Sequence, residues 1–269
     1  MKNIIFLTTL LFTAFCYGQE QQSYETLKKL AEQGDANAQY KLGDAYDLGK
    51  LGLKKSEIQA IYWYTKAAEQ GNGWAQISLG VIYEFSKTEK NNMKALYWYD
   101  KATEYEDPIV SVQAMWQLTG IYEKKGEYQK AFNYYRKFAE IGDTDIEAKI
   151  GYYYSSGIGG VEQSYEKAVY WLTKAAEKGH VSSQFNLALC YEEGNGVEQS
   201  YSRAAYWYKN AAEQNFAEAQ HNLASLYYSG KGIEQSKEKA IYWYRRACNN
   251  FSDSSCKMLN EIKEQINNR

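Results

Sequence analysis

The chain has 269 residues, with 31 Lys and Arg against 33 Asp and Glu, and a formal net charge of -2 at neutral pH. That balance supplies no basic face of the kind nucleic acid requires. The single proline leaves room for many helices, because proline inside a helix costs about 3 kcal/mol.

The first residues read as a leader. Met1-Lys2-Asn3 is a short positive start, and Ile4 to Phe15 is a mostly apolar run too short to cross a bilayer. Small Gly18 follows, so the expected leader is a signal peptide over 1–18, cut to leave Gln19 and a mature domain over 19–269. The rival is a lipoprotein signal with Cys16 as the lipidated residue, although Phe15 is bulky where such signals prefer a small residue. No later apolar stretch is long enough to span a membrane. The expectation is an exported chain, periplasmic or secreted, with an outer-membrane lipoprotein as the alternative.

A repeated stretch organises everything after the leader. Ala60-Ile-Tyr-Trp-Tyr-Thr-Lys-Ala-Ala-Glu-Gln-Gly71 returns from Ala95, Ala168, Ala204 and Ala240, with a degenerate copy from Ala131. Its anchoring aromatics are Trp63, Trp98, Tyr134, Trp171, Trp207 and Trp243, spaced by 35, 36, 37, 36 and 36 residues. Self-similarity at such a period specifies a solenoid.

Each repeat has two halves. The first pairs an aliphatic residue with a tyrosine four places on: Leu42 with Tyr46, Leu79 with Tyr83, Leu118 with Tyr122, Ile150 with Tyr154, Leu187 with Tyr191 and Leu223 with Tyr227. That spacing puts both on one helix face, read as the core face. A small residue follows the aliphatic one (Gly43, Gly80, Thr119, Gly151, Ala188 or Ala224) and predicts close approach of a neighbouring helix backbone. The second half follows a turn such as Gly196-Val-Glu-Gln-Ser200. Ser56, Ser164, Ser200 and Ser236 are placed to cap it, and glycines such as Gly71 and Gly179 suit its end. Helix pairs are expected at about 36–70, 73–104, 111–140, 145–178, 181–214 and 217–249, with lone helices at about 24–33 and 253–266.

These residues resemble the Sel-one-like repeat family, relatives of the tetratricopeptide repeat. The pattern small-Gln-x-x-Leu-Gly-x-x-Tyr, Gly-x-Gly-Val, Ala-x-x-Trp-Tyr-x-x-Ala-Ala-x-x-Gly is matched nearly throughout by Gln184 to Gln214, and the likeness covers about 24–260. Two units depart from it. The glycine turn is missing around Tyr83 to Asn92, and around Trp116 to Glu140 it shrinks to Lys125-Gly126-Glu127. The resemblance implies an all-α right-handed superhelix of about six antiparallel helix pairs, working as an extracytoplasmic scaffold with a concave binding face. Cysteine-rich members carry a disulfide at an Ala-Cys-(seven residues)-Cys arrangement, which implies one between Cys248 and Cys256. Cys190 is then left as a buried thiol.

Chemistry finds little support. Ser164-x-x-Lys167 and Ser236-x-x-Lys239 match the Ser-x-x-Lys motif of penicillin-recognising enzymes, and some cysteine-rich relatives are linked to β-lactam binding. Both serines nevertheless sit at the repeated cap position, and Ser-Asp-Asn and Lys-Thr-Gly partners are missing. The β-lactam enzyme is therefore only the alternative reading, and the expectation is no enzyme. His180 and His221 have no ligand-spaced neighbours, so no metal is expected. The glycine turns lack the Lys-Ser or Lys-Thr of a phosphate loop, so no cofactor is expected either.

In tetratricopeptide relatives the first helix of each pair lines the groove. Offsets of two before, two after and five after the aliphatic residue then give Tyr40, Asp44 and Asp47; Ile77, Val81 and Glu84; Trp116 and Glu123; Tyr152 and Ser155; Phe185, Leu189 and Glu192; His221 and Tyr228. The set mixes aromatics with carboxylates and has no Lys or Arg. It predicts a protein or peptide partner with Lys or Arg flanking apolar residues, with Trp116 and Phe185 as the aromatic anchors. The rival is that some of these aromatics pack against the next repeat.

Overall fold

A computed structural model describes residues 23–86, 88–250 and 252–267. The leader read at 1–18, with the rival site at Cys16, lies outside the described residues. All regular structure among the described residues is helical, and the chain forms two compact units, Met1–Lys124 and Lys125–Arg269.

The first unit holds α1 (23–32), the pair α2 (Ala36–Leu48) and α3 (Glu57–Glu69), the pair α4 (Gly73–Phe85) and α5 (Glu89–Ala102), and α6 (Pro108–Lys124). Within it α2 packs on α3, α3 on α4, α4 on α5 and α5 on α6. The second unit holds α7 (Tyr128–Lys137), α8 (Thr144–Ser156) with α9 (Tyr165–Glu177), α10 (Val181–Glu193) with α11 (Tyr201–Glu213), α12 (Ala217–Ser229) with α13 (Lys237–Asn249), and α14 (Asp253–Asn267). There too each helix packs on the next in sequence. This is the consecutive helix-pair packing of an α-solenoid.

Local chemistry sets the helix starts. The Oγ of Ser56, Ser164, Ser200 and Ser236 accepts from the backbone N–H three residues on, at 3.2–3.4 Å. Thr88 does the same for α5, at 3.3 Å from Asn91 N, although the usual turn is missing there. Helix α6 begins at Pro108, earlier than the expected 111. Proline at a first helical position gives up an N–H that had no partner anyway.

Two readings of the repeat need correction. The most deeply buried large side chain of each second helix is the one after the anchoring aromatic. Tyr64, Tyr99, Tyr135, Leu172, Tyr208 and Tyr244 are all 0–2% exposed, whereas Trp98, Trp171 and Trp207 are half-buried. The tryptophans instead carry an outer tyrosine edge-on, as Tyr206 does on Trp207 at 4.9 Å. The paired tyrosines of the first helices are likewise half-buried; Tyr191 and Tyr227 border the core rather than fill it.

At Gly43 and Gly80 the small residue after the aliphatic one makes room for a ring, while at Gly151 it meets the Leu172 side chain, with Leu172 N 3.3 Å from an added Cβ. A Cβ on Gly43 would lie 2.6 Å from the ring of Tyr64, and one on Gly80 would lie 2.5 Å from that of Tyr99. Closer backbone approach occurs in the turns. The second glycines, Gly196 and Gly232, press on the start of the preceding second helix, where an added Cβ would meet Tyr165 C at 2.3 Å and Tyr201 C at 2.4 Å. Both have φ of +71°, so a side chain would be strained as well as crowded.

At the end of the second unit, Cys248 of α13 and Cys256 of α14 form a disulfide. Cys190 is buried on α10, and burial pushes its thiol up to about 11, which keeps it protonated and inert.

Candidate functional site

The expected groove residues lie on α2, α4 and α6 in the first unit and on α8, α10 and α12 in the second. Core packing fixes the rotation of these helices, and that rotation decides which side chains remain accessible.

In the first unit the face is acidic. Asp44 and Asp47 are half-buried on α2, and Lys50 Nζ reaches Asp44 at 2.9 Å. Tyr40 stands 5.8 Å from the Tyr64 ring, and burial, then the Asp44 charge, raises its hydroxyl pKa. On α4, Glu84 accepts a hydrogen bond from Tyr99 OH at 3.1 Å and lies 3.8 Å from Lys124 Nζ. Val81 is half-buried beside it, and Trp116 and Glu123 are half-buried on α6. Ile77, by contrast, is 4% exposed. It belongs to the core, because its offset turns it onto the packed side of α4, and it offers a partner nothing.

In the second unit the face is mostly aromatic. Tyr152 on α8 is 48% exposed and projects furthest among the expected aromatics. Ser155 Oγ donates to Tyr152 O at 2.9 Å, which occupies its proton within the helix. Glu192 on α10 accepts from Tyr208 OH at 2.6 Å, and Leu189 borders the core. Phe185 packs on Tyr208 and Phe216, with ring centroids at 5.8 and 5.1 Å. It therefore follows the rival reading, packing against the next element, and is a poor anchor. His221 also looks inward. Its Nδ1 is 2.8 Å from Ser255 Oγ on α14, its ring lies edge-on to Tyr244, and burial lowers its pKa. Tyr228 is half-buried against the same core.

Two features were missed at the level of sequence. Core tyrosines reach through to hold the carboxylates of Glu84 and Glu192 from beneath, and burial followed by the carboxylate interaction raises the pKa of both phenols. The near-equal spacing of Glu and Tyr in two repeats, 15 and 16 residues, was the available signal. Lysines outside the chosen offsets also offset part of the acidic charge, and nothing in their spacing announced it.

The Ser-x-x-Lys pairs are structural. Ser164 and Ser236 accept cap hydrogen bonds, while the Nζ atoms of Lys167 and Lys239 sit 5.4 and 5.3 Å from the ring centroids of Tyr154 and Tyr227. Arg203 lies in the same way 5.4 Å from Tyr191. The ammonium groups thus hold the two helices of a pair together by cation–π contact. Among the described residues, no group of three or more His, Cys, Asp or Glu could hold a metal ion, and no helix is long and apolar enough to cross a membrane.

Residues 36–72, 75–104, 114–143, 147–180, 181–216 and 217–250 each match the Sel1 repeat. Among solved structures, the chain is similar to a protective antigen of uropathogenic Escherichia coli displaying an SLR fold. The identity is 32% and the TM-score 0.60, covering 91% of this chain and 52% of that one. A Sel1 repeat protein from Oxalobacter formigenes is 33% identical at a TM-score of 0.54, covering 88% of this chain and 95% of that one. Among curated proteins, similarity extends to an F-box protein of Arabidopsis thaliana, 39% identical over 75 residues, which is 28% of this chain and 20% of that protein. It extends also to chitin synthase regulatory factor 3 of Schizosaccharomyces pombe, 29% identical over 91 residues, 32% of this chain and 10% of that one. The chain spans a fifth or less of the length of these curated relatives.

Proposed function

We propose that this chain, which belongs to the Sel1 repeat family, is a scaffold outside the cytoplasm that holds a protein or peptide on the exposed faces of its first helices. Sel1 repeat proteins are typically protein-interaction scaffolds. The observation that carries the reading here is the pair of tyrosine-held carboxylates, Glu84 on Tyr99 and Glu192 on Tyr208. A carboxylate held by a buried phenol loses little freedom on binding, although the other oxygen of Glu84 already lies 3.8 Å from Lys124 Nζ. On other first helices of the same units, Trp116 and Tyr152 offer aromatic surface for an apolar side chain. The favoured partner is therefore an extended or helical segment with Lys or Arg beside apolar residues. The charged start and apolar run at residues 4–15 support export.

A panel of fluorescently labelled peptides varying in charge and apolar content tests this. Basic-apolar peptides should bind, and affinity should fall as salt rises. Glu84→Gln and Glu192→Gln should each weaken binding about tenfold, and Trp116→Ala and Tyr152→Ala by about 1–3 kcal/mol, with the thermal melt nearly unchanged. Equal binding of acidic and basic peptides, or undiminished binding in all four variants, would remove these faces from recognition.

A further inference from the structure

One position recurs on the first helices, three residues before the aliphatic core residue, and nearly always holds a polar side chain. In the repeats that contain Gln39, Glu147, Gln184 and Gln220, that side chain accepts a donor from the residue that closes the following second helix. Gln70 Nε2 reaches Gln39 Oε1 at 2.7 Å. Lys178 Nζ reaches both oxygens of Glu147 at 2.9 Å. Gln214 Nε2 reaches Gln184 Oε1 at 2.9 Å, and Asn250 Nδ2 reaches Gln220 Oε1 at 3.0 Å. The donor stands seven residues beyond the anchoring tryptophan each time.

Gln76 on α4 has no such donor. Seven residues beyond Trp98 comes Tyr105, and its ring has gone elsewhere, covering Gly73, where an added Cβ would meet it at 2.6 Å. Gln76 is 6% exposed. Its Nε2 donates to Ala68 O at 3.1 Å, and among the described residues no side chain gives its Oε1 the donor that its counterparts receive. Where the donor would sit there is an open cleft of about 340 Å³, lined by Gln76, Glu69, Gly71, Tyr97, Trp98 and Lys101. Among the described residues no buried side-chain nitrogen or oxygen lacks a hydrogen-bond partner, so this oxygen opens onto the cleft, and the cleft has room for more than one water.

We propose that this cleft is a binding site for a primary carboxamide, such as the side chain of a glutamine in a bound chain. The amide NH2 donates to Gln76 Oε1, as Gln70 and Gln214 do to its counterparts. The amide oxygen accepts from Lys101 Nζ at the rim, and the methylenes lie against the rings of Tyr97 and Trp98. An ammonium group fits less well. Within this chain an ammonium fills the equivalent place only where the acceptor is the carboxylate of Glu147; where the acceptor is a glutamine, an amide fills it. The site lies on a different part of the first unit from the acidic helix faces and does not depend on them.

The test is an NMR titration of the protein with N-acetylglutamine methylamide, following the Gln76 side-chain amide and the Trp98 indole N–H. Saturable shifts at both are expected, with the glutamate analogue at least tenfold weaker because it lacks the donor. Two variants should abolish the shifts. Tyr105→Gln supplies the missing internal donor, and Gln76→Met removes the acceptor while copying Met115, which fills the same position of α6 at 0% exposure. Circular dichroism identifies a variant that fails to fold, and the other then decides. Absent shifts in the parent protein, shifts that persist in a folded variant, or tighter binding of the lysine analogue would each overturn the assignment.

Discussion

Two neighbouring junctions of the second unit make the same join with different chemistry. Between the ends of α9 and α11, Gln184 donates to Ala176 O at 3.1 Å and accepts from Gln214, which also donates to Gly179 O at 3.1 Å. One repeat earlier, Glu147 accepts twice from Lys178, and Lys178 donates to Gly142 O at 2.8 Å. The carboxylate is 1% exposed and the lysine 42%. A carboxylate cannot donate, so the lysine supplies the donors that the amide pair divides between its two members. The fold thus specifies a hydrogen-bond pattern at this position and leaves its charge open. The two solutions still fail differently, because losing one member of an amide pair strands a dipole, whereas losing the ammonium strands a buried charge.

The largest effect should follow from Lys178→Met, which leaves Glu147 with only Lys174 at 3.9 Å. Chemical denaturation should show a loss of about 3 kcal/mol; a loss under about 1 kcal/mol would mean that the junction is indifferent to its charge. The third junction of this unit, between α13 and α14, adds a covalent link. Replacing Cys248 and Cys256 together by alanine should cost about 2–3 kcal/mol, the value for a short closed loop, and mass mapping of the unreduced protein should find the two linked. Gln214→Ala should cost about 1 kcal/mol, since its partners keep some access to water. The double change Glu147→Gln with Lys178→Gln rewrites the first junction as the second and should stay within about 1 kcal/mol of the parent. The smallest effect concerns pH at His221. Burial lowers its pKa, so the folded state binds fewer protons there than the unfolded one. Its share of stability is present above about pH 6.5 and declines as pH falls through the lowered folded value. The parent should therefore lose more melting temperature than His221→Asn between neutral and mildly acidic pH.

Much of this architecture was legible in the residues. The period of the Trp motif placed the helix pairs, because a stacked repeat must return its core residue at the same phase. The serine caps were legible because a cap needs only one side chain at one backbone position. Phase within a helix was harder. Trp63 and Tyr64 are adjacent, both aromatic and both buried, so periodicity could not say which lay deeper. Ile77 fell into the core because its place two before Leu79 also faces the packed side of α4. Phe185 was lost to packing on Phe216, a residue of the following turn that no spacing rule connects to it. The lysines on Asp44 and Glu84 come from a loop and from another helix, so they became visible only once the chain was folded.

The Glu147–Lys178 pair also bears on how such a chain can change length. A cut that removes residues 181–216 takes out one helix pair whole. Gln220 would then face Ala176 O as Gln184 did, and Asn250 would follow as Gln214 did, so every amide finds an equivalent. A cut of the same length through the turns, removing residues 161–196, would bring Gln214 to Glu147 and leave the carboxylate without its ammonium. Repeats in this stretch are thus interchangeable between helix pairs and not within them. One charged pair serves as punctuation, marking where the chain can be divided and where it cannot.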